Sequence, residues 1–554
     1  MTGRDDETDA ARAKDPVPPE RIDEVARRAF GLDSLRPAQR DAIRQAVSGR
    51  DVLAVWATGS GKSAVYQISA ALLGGVTVVV SPLIALQEDQ LVGLEEAPDA
   101  PEGVALNSAR GARARREAWR RLKDGEVEYV LLAPEQLVKD DVIAELAALD
   151  VSLLVVDEAH CIASWGHDFR PDYLMVGAMA GRLGRPPIVA LTATASTPVR
   201  EEIVRRLGLR DPAVLVGDVD RPNITLTVRR HTDAGEKRDA VLDEVAALPR
   251  PGLLYTATRR ESEEYAAALS ERGLRAVAYH AGLRVSERNR VHEEFLDDVV
   301  DVVVATSAFG MGIDKENVRF VVHADAPDSV DAYYQELGRA GRDGAAASGT
   351  LHYRPEDLSL RRFFASKNPD AEELRRLVGA LADGRRRRSD LAEAAGLSPR
   401  RVTGLLALLE DTAFVRLSRN GAALRRGVDH EEAVQAALAR SEERERIDQS
   451  RVDMLRGYAE TRRCRRQVLL GYFGQELEEP CGNCDTCTSG SAFDDAEASP
   501  TEGEYRVDQR VQHREWGDGT VTSVEDDRIT VFFESQGYKV LSVDLVEEND
   551  LLRT

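Results

Sequence analysis

The chain has 554 residues, of which 43% are hydrophobic, 31% charged and 5% aromatic, with a net charge of −22. That apolar share excludes a disordered or fibrous chain, and at ~100–200 residues per domain the length holds three or more domains. No apolar run reaches the ~20 residues of a membrane span, five cysteines are too few for a disulfide-built scaffold, and the acidic balance excludes a uniformly basic surface.

Residues 1–20 are polar and rich in Asp, Ala and Pro, and read as a disordered tail rather than a signal or targeting segment. Apolar runs of strand length then alternate with helical patterns twice over. The first set is Val52–Trp56, Val76–Val80, Tyr129–Leu132, Leu153–Val156 and Ile188–Leu191. The second is Gly252–Tyr255, Ala276–Tyr279, Val302–Ala305 and Phe320–His323. Such alternation predicts two α/β domains built on parallel sheets, residues 21–215 and 216–356.

Directly after the first strand stands Ala57-Thr58-Gly59-Ser60-Gly61-Lys62-Ser63. Glycines there let successive N–H groups face phosphate oxygens, and the following helix adds the positive end of its dipole. Lys62 is placed to reach the β/γ-phosphates of a nucleoside triphosphate and Ser63 to ligate Mg²⁺. Trp56 stands where the usual spacing has a small residue. About a hundred residues on, Asp157-Glu158-Ala159-His160 closes another strand. Asp157 is the expected magnesium carboxylate, and Glu158 the base that orients water.

Gln335 to Gly344 carries Arg339 and Arg342 three positions apart, on one face if the segment is helical. Arg342 is the candidate finger for transition-state charge and Arg339 its neighbour. The nucleotide is expected in a cleft, with Lys62 and Asp157 on one wall and Arg342 on the other. A cleft that closes on ATP and reopens after hydrolysis makes a hinge.

Residues 370–428 read as a winged-helix-like module. Asp390–Ala395 is a helix, Gly396-Leu397 a turn, and Ser398-Pro399 the cap and first residue of the next helix. Val415 to Leu424, broken at Asn420-Gly421, is a hairpin wing, and Arg400 and Arg401 could meet phosphate. A protein–protein spacer using the same fold is the competing reading. The basic runs Arg110 to Lys123 and Arg385 to Arg388 read as solvated faces or local grooves.

Cys464, then sixteen residues, then Cys481-Gly482-Asn483-Cys484-Asp485-Thr486-Cys487 has the ligand spacing of a structural Zn²⁺ site in a zinc-binding module at 441–488. An iron–sulfur cluster is the alternative. Residues 489–504 read as a linker. Arg510–His513, Gly519–Val524, Ile529–Phe533 and Tyr538–Val543 then alternate as the strands of a small C-terminal β-barrel at 505–554. Acid residues outnumber basic ones 16 to 6 after Cys487, which argues against DNA binding by the barrel.

Taken together, these motifs resemble the RecQ family of superfamily 2 DNA helicases. Phe30-Gly31 with Leu35-Arg36-Pro37-Ala38-Gln39 is similar to its adenine-reading element, although Leu32 replaces a frequent aromatic. Gln39 would contact the adenine edge and Arg36 would pack near the base. Ser81-Pro82-Leu83-Ile84-Ala85-Leu86 resembles a strand-contacting motif, and Thr192-Ala193-Thr194 one that couples hydrolysis to movement. Cys161 to Pro171 resembles the aromatic-rich loop that signals bound single strand, with Trp165, Phe169 and Arg170 at the nucleic acid. Base–aromatic stacking there is worth ~1–3 kcal/mol per base. Tyr279 to Leu283, with His280, and Ala305 to Asp314 resemble motifs of the second motor half, Asp314 near the nucleotide.

The resemblance implies two RecA-like motor domains, ATP, Mg²⁺ and Zn²⁺ as cofactors, and 3′ to 5′ movement on single-stranded and forked DNA in repair or recombination. With no membrane-length apolar run and few, clustered cysteines, the protein is expected in the cytoplasm, associated with the nucleoid. A non-unwinding translocase and an RNA helicase are the alternatives. His513 with Trp516 to Val521, and Phe532 with Gly537-Tyr538-Lys539, resemble Tudor-like tails of bacterial repair helicases. That resemblance implies docking on RNA polymerase or a repair factor.

Overall fold

The structure is a computed structural model that describes residues 17–57, 59–82, 84–107, 111–137, 139–163, 171–309, 315–358, 369–382, 384, 386–418, 421–494, 505–524 and 528–553. Two compact units divide the chain, the first carrying both parallel sheets and the second the helical module and the C-terminal sheet.

Seven strands form the first sheet: β1 (Val52–Val55), β2 (Val76–Val80), β3 (Gly103–Leu106), β4 (Tyr129–Leu132), β5 (Val151–Val156), β6 (Ile188–Thr192) and β7 (Ala213–Val216). Their order is β3-β4-β2-β5-β6-β1-β7, with parallel pairing throughout. Both faces are covered, which is why the strands read as unbroken apolar runs. Leu53 and Val55 enter one apolar cluster, while Val52, Ala54 and Trp56 enter another, as the two-residue period of a strand requires.

The second sheet holds β8 (Ile224–Arg230), β9 (Gly252–Tyr255), β10 (Ala276–Tyr279), β11 (Val302–Ala305), β12 (Phe320–His323) and β13 (Ala347–Tyr353), ordered β10-β11-β9-β12-β13-β8. Four strands lie outside the sequence expectation: β3, β7, β8 and β13. β8 and β13 are interrupted by polar residues, while β3 and β7 are short stretches of four residues. β3 opens on Gly103, whose added Cβ would sit 2.7 Å from Leu91. β7 and β8 alternate exposed and covered residues, as edge strands do.

In the second unit, helices Ala371–Leu381, Arg388–Ala395 and Pro399–Asp411 precede the antiparallel pair β14 (Val415–Ser418) and β15 (Gly421–Leu424), the element order of a winged helix. Ser398 caps its helix by accepting from Arg401 N, and Gly396 takes a left-handed φ of 63°. Arg401 is ion-paired to Glu373 at 2.6 Å, so its guanidinium is held within the module. The side chain of Arg400 and the turn residue Asn420 lie outside the described residues.

A 31-residue helix, His430–Glu460, follows. It had no counterpart in the sequence reading because its apolar residues are thinly spread among charges. The C-terminal sheet pairs β16 (Arg510–His513), β17 (Gly517–Val524), β18 (Arg528–Phe533), β19 (Gly537–Ser542) and β20 (Leu552–Arg553) in the order β19-β18-β17-β16-β20. The segment from Val543 is a short helix, Val543–Glu548, and β20 is an added strand.

This sheet packs on the long helix through Gly537. Tyr538 N donates to Ser450 Oγ at 3.0 Å and Arg446 Nε to Ser535 O at 2.9 Å. A Cβ at Gly537 would sit 2.1 Å from Ser450 Oγ and 2.9 Å from Ile447 Cα, at a φ of 72°. Gly537→Ala is therefore expected to destabilise the second unit by about 1–3 kcal/mol, read as a lower melting temperature. No helix among the described residues is long and apolar enough to cross a membrane.

Candidate active site

The phosphate loop lies between β1 and the helix Ser63–Leu73. Gly59 and Gly61 have φ of 78° and 72°, conformations that a side chain resists. Gln39, on the helix Pro37–Val47, ties that helix to the loop. Its Nε2 donates to Ser60 O and Gly61 O, both at 3.0 Å, and its Oε1 accepts from Arg36 N at 2.8 Å. A Cβ at Gly61 would meet Gln39 Nε2 at 2.7 Å, so the glycine also admits this approach. Arg36 is exposed.

Lys62 Nζ donates to Trp56 O at 3.0 Å and Ala57 O at 3.4 Å. Burial lowers the affinity of this ammonium for its proton; the Glu158 and Asp157 carboxylates oppose that shift, and Arg342 adds to it. Lys62, Asp157, Glu158 and Arg342 therefore share one electrostatic neighbourhood.

Asp157 follows β5, its N–H donating to Val80 O at 2.9 Å. Burial and the adjacent Glu158 carboxylate push its pKa up to about 6; Lys62, the Glu158 N–H and Gln90 pull it down. Burial and a second carboxylate beside it raise the cost of charge on Asp157, an environment that a divalent cation relieves, so the chemistry of Asp157 and Ser63 fits Mg²⁺. Gln90 Nε2 donates to Asp157 Oδ2 at 3.2 Å, and Tyr173 OH to Asp157 O at 3.0 Å. Glu158 stands at a φ of 48°, local strain of the kind held at working sites. His160 Nδ1 lies 3.3 Å from Glu158 Oε2 and 2.9 Å from Thr192 Oγ1. It joins the acid pair to the Thr192-Ala193-Thr194 segment.

The arginine pair does not share a helix. The helix Val330–Leu337 ends first, and residues 338–343 form turns, with Gly341 at a φ of 55°. Two residues absent from the sequence reading cause this. Arg221 Nη1 donates to Gly338 O at 2.9 Å, and its Nη2 to Ala340 O at 2.6 Å and Gly341 O at 2.8 Å. Asn223 Nδ2 donates to Gly341 O at 2.8 Å and Ala345 O at 2.9 Å.

The arginine side chains then diverge. A Cβ built on Gly59 would lie 3.3 Å from Arg342 Cγ, which puts Arg342 against the phosphate loop. Arg339 is buried with its charge beside Tyr255, whose OH donates to Phe309 O at 2.8 Å. Tyr255 and Gln90 carry no local sequence signal, since their partners lie far along the chain.

Ser81 and Pro82 are buried, and Ser81 O accepts from Gln87 Nε2 at 3.0 Å. His280 is also buried, its Nδ1 accepting from Gly282 N at 3.1 Å and its Nε2 lying 3.0 Å from Glu263 Oε1. Thr58, Trp165, Phe169, Arg170 and Asp314 lie outside the described residues. Within the basic run ending at Lys123, Arg120 pairs with Glu117, Asp124 and Glu126, and Lys123 with Glu145, as a solvated face would.

The ligand sulfurs of Cys464, Cys481, Cys484 and Cys487 all lie within 4.8 Å of one another. Zn–S bonds of ~2.3 Å in a tetrahedron put sulfurs about 3.8 Å apart, so this cluster fits zinc. Asn483 N donates to Cys481 Sγ at 3.3 Å, and Thr486 Oγ1 lies 3.1 Å from Cys484 Sγ. Gly482 takes a φ of 66°, and Cys464 caps the helix Arg465–Tyr472, where the dipole favours a thiolate. The cysteine turn leans on β8, with Val228 N donating to Asp485 Oδ2 at 3.1 Å and Asn483 Nδ2 to Pro222 O at 3.1 Å.

Four protein families match the chain: DEAD/DEAH box helicase over residues 36–203, helicase conserved C-terminal domain over 236–344, RecQ zinc-binding over 422–488, and a protein of unknown function, DUF3553, over 509–548. The ATP-dependent DNA helicase RecQ of Haemophilus influenzae is 34% identical over 463 residues, covering 84% of this chain and 63% of the relative. The probable ATP-dependent DNA helicase RecS of Bacillus subtilis is 34% identical over 472 residues, 84% of this chain and 90% of that protein. This chain thus spans about three fifths of the length of the Haemophilus influenzae and Pasteurella multocida RecQ relatives (63% and 62%) and nine tenths of RecS.

Among solved structures, the DUF1998 helicase MrfA bound to DNA superposes with a TM-score of 0.52 at 16% identity, over 76% of this chain and 65% of that one. At that identity the likeness concerns the fold alone. With two parallel-sheet motor domains, a four-cysteine cluster in the RecQ zinc-binding segment and a relative matched over nine tenths of its length, the chain belongs to the RecQ family of helicases.

Proposed function

We propose that this chain is an ATP-dependent DNA helicase that moves 3′ to 5′ on single-stranded DNA and opens forked duplex in repair or recombination. The observation that carries this reading is the convergence of Lys62, Asp157, Glu158 and Arg342 around one glycine loop. Lys62 would leave the carbonyls of Trp56 and Ala57 for the β/γ-phosphates. Glu158 would orient the attacking water, with His160 holding its carboxylate toward Thr192. Arg342 would meet charge on the transferred phosphoryl. Ser63 and Asp157 would hold Mg²⁺, which neutralises charge on the β- and γ-phosphate oxygens when bound.

DNA as the polymer is supported by the RecQ relatives, whose names specify DNA helicases, and Trp165 and Phe169 would stack on its bases. Gln39 and Arg36 would read the adenine, with Asp314 nearby; Ser81, Pro82, Arg170 and His280 would line the strand. The C-terminal sheet is a candidate site for docking a protein partner, carried on the helix His430–Glu460. A second reading, a translocase that does not separate strands, is favoured by the position of the winged-helix element order ahead of the cysteine cluster.

ATP turnover compared with single-stranded DNA, duplex and RNA tests this function. Strong stimulation by single-stranded DNA is expected, and Lys62→Ala should abolish it. RNA-only stimulation would move the assignment to an RNA helicase. DNA stimulation without opening of a fluorescent forked duplex would favour the translocase.

A further inference from the structure

We propose that the connector Gly217–Asn223 is a positioning strap that sets Arg342 against the phosphate loop, with Arg221 as its principal positioning residue. This inference rests on the ATP-hydrolysis reading above. The connector runs from the end of β7 in the first sheet to the start of β8 in the second. Nothing in its composition marks it as part of a nucleotide site.

At its first end, Gly217 N donates to Val55 O at 2.9 Å, and a Cβ on Gly217 would lie 2.5 Å from Trp56 Cδ1. Trp56 is buried, its backbone N–H donates to Thr192 O at 3.1 Å, and its carbonyl accepts from Lys62. The bulky residue that departs from the usual phosphate-loop spacing is thus the one the connector packs on. In the middle, Val219 O accepts from Tyr334 OH, on the helix that leads into the arginine-bearing turn.

At its far end, the Arg221 guanidinium spans the carbonyls of Gly338, Ala340 and Gly341, and Asn223 adds those of Gly341 and Ala345. A planar fork with fixed N–H directions can hold three carbonyls at once; an ammonium is a point donor on a flexible stem. The turn so held presents Arg342 to Gly59. Phosphate loop, Trp56, connector, Arg221, arginine turn and Arg342 therefore form a closed circuit of contacts around the place where phosphoryl transfer would occur. A shift of ~1 Å in a group that acts on the transition state costs about 10²-fold in rate, so a slack strap should be visible in turnover before it is visible in binding.

The full chain carrying Arg221→Lys tests this. The kcat for DNA-stimulated ATP hydrolysis should fall about 10²-fold while KM for ATP stays within about twofold, with a cooperative melting transition retained. Arg221→Lys combined with Arg342→Ala should be no slower than Arg342→Ala alone, because both act through one group. Gly217→Ala loosens the opposite end and should lower kcat similarly. Replacing Trp56 by Leu in that variant makes room for the added Cβ and should restore turnover.

Unchanged kcat in Arg221→Lys, a raised KM with normal kcat, or losses that multiply with Arg342→Ala would each overturn the strap alone. A wild-type chain with no ATP turnover would overturn the ATP reading and the strap together. If Arg221→Lys fails to fold, the Gly217→Ala and Trp56→Leu pair decides: no loss, or no restoration, overturns the proposal.

Discussion

Arg342→Ala is expected to lower the single-strand-stimulated kcat for ATP hydrolysis by about 10³–10⁵-fold, the range that an arginine at the γ-phosphate supplies in other NTPases. The basis is placement. Arg342 is the arginine of the pair that lies against Gly59, and its charge is felt at Lys62. A guanidinium that meets charge developing only in the transition state lowers kcat and kcat/KM equally when removed, leaving KM for ATP near its original value. A variant with raised KM and normal kcat would instead assign Arg342 to ground-state binding. Arg339→Ala should behave differently. That side chain is buried against Tyr255, so its loss should lower the melting temperature as well as the rate.

Removing the metal from the cysteine cluster should produce the largest loss of stability. Structural zinc contributes an apparent ~10–16 kcal/mol to the folding of small zinc modules. Chelation, or Cys484→Ser, is expected to release one zinc per chain and to lower the melting temperature markedly. The metal-loaded protein should be colourless; visible absorbance from the thiolates would indicate iron instead. A melting curve unaltered by complete metal removal would show that the module holds without it. Asn483 sits between two of the cysteines and donates to Pro222 O at 3.1 Å, so metal loss should also slacken the connector and reduce ATP turnover.

Local chemistry was legible from the chain order alone. A phosphate loop needs consecutive residues with particular backbone freedom, so Gly59, Gly61 and Lys62 announce themselves. Metal-binding turns need short spacings, and the Cys481–Cys487 segment has them. Buried parallel strands are apolar on both faces, so β1, β2, β4, β5 and β6 stood out as runs. Helix caps such as Ser398 are likewise contained within a few residues.

What the fold alone decided is a matter of distance along the chain. Arg221 and Asn223 find their carbonyl partners more than a hundred residues later, and Tyr255 meets Arg339 only because β9 ends beside the arginine turn. No spacing rule links such pairs. The sequence expectation of two arginines on one helical face gave way for the same reason: a distant guanidinium satisfies the carbonyls of a turn and makes that turn the stable arrangement. The edge strands β7 and β8 and the long helix were missed because their side chains are divided between neighbours and solvent, a division set by packing. Sequence determined which groups carry the chemistry; tertiary structure determined which of the two arginines faces the loop, because orientation is fixed by contacts that the chain order does not contain.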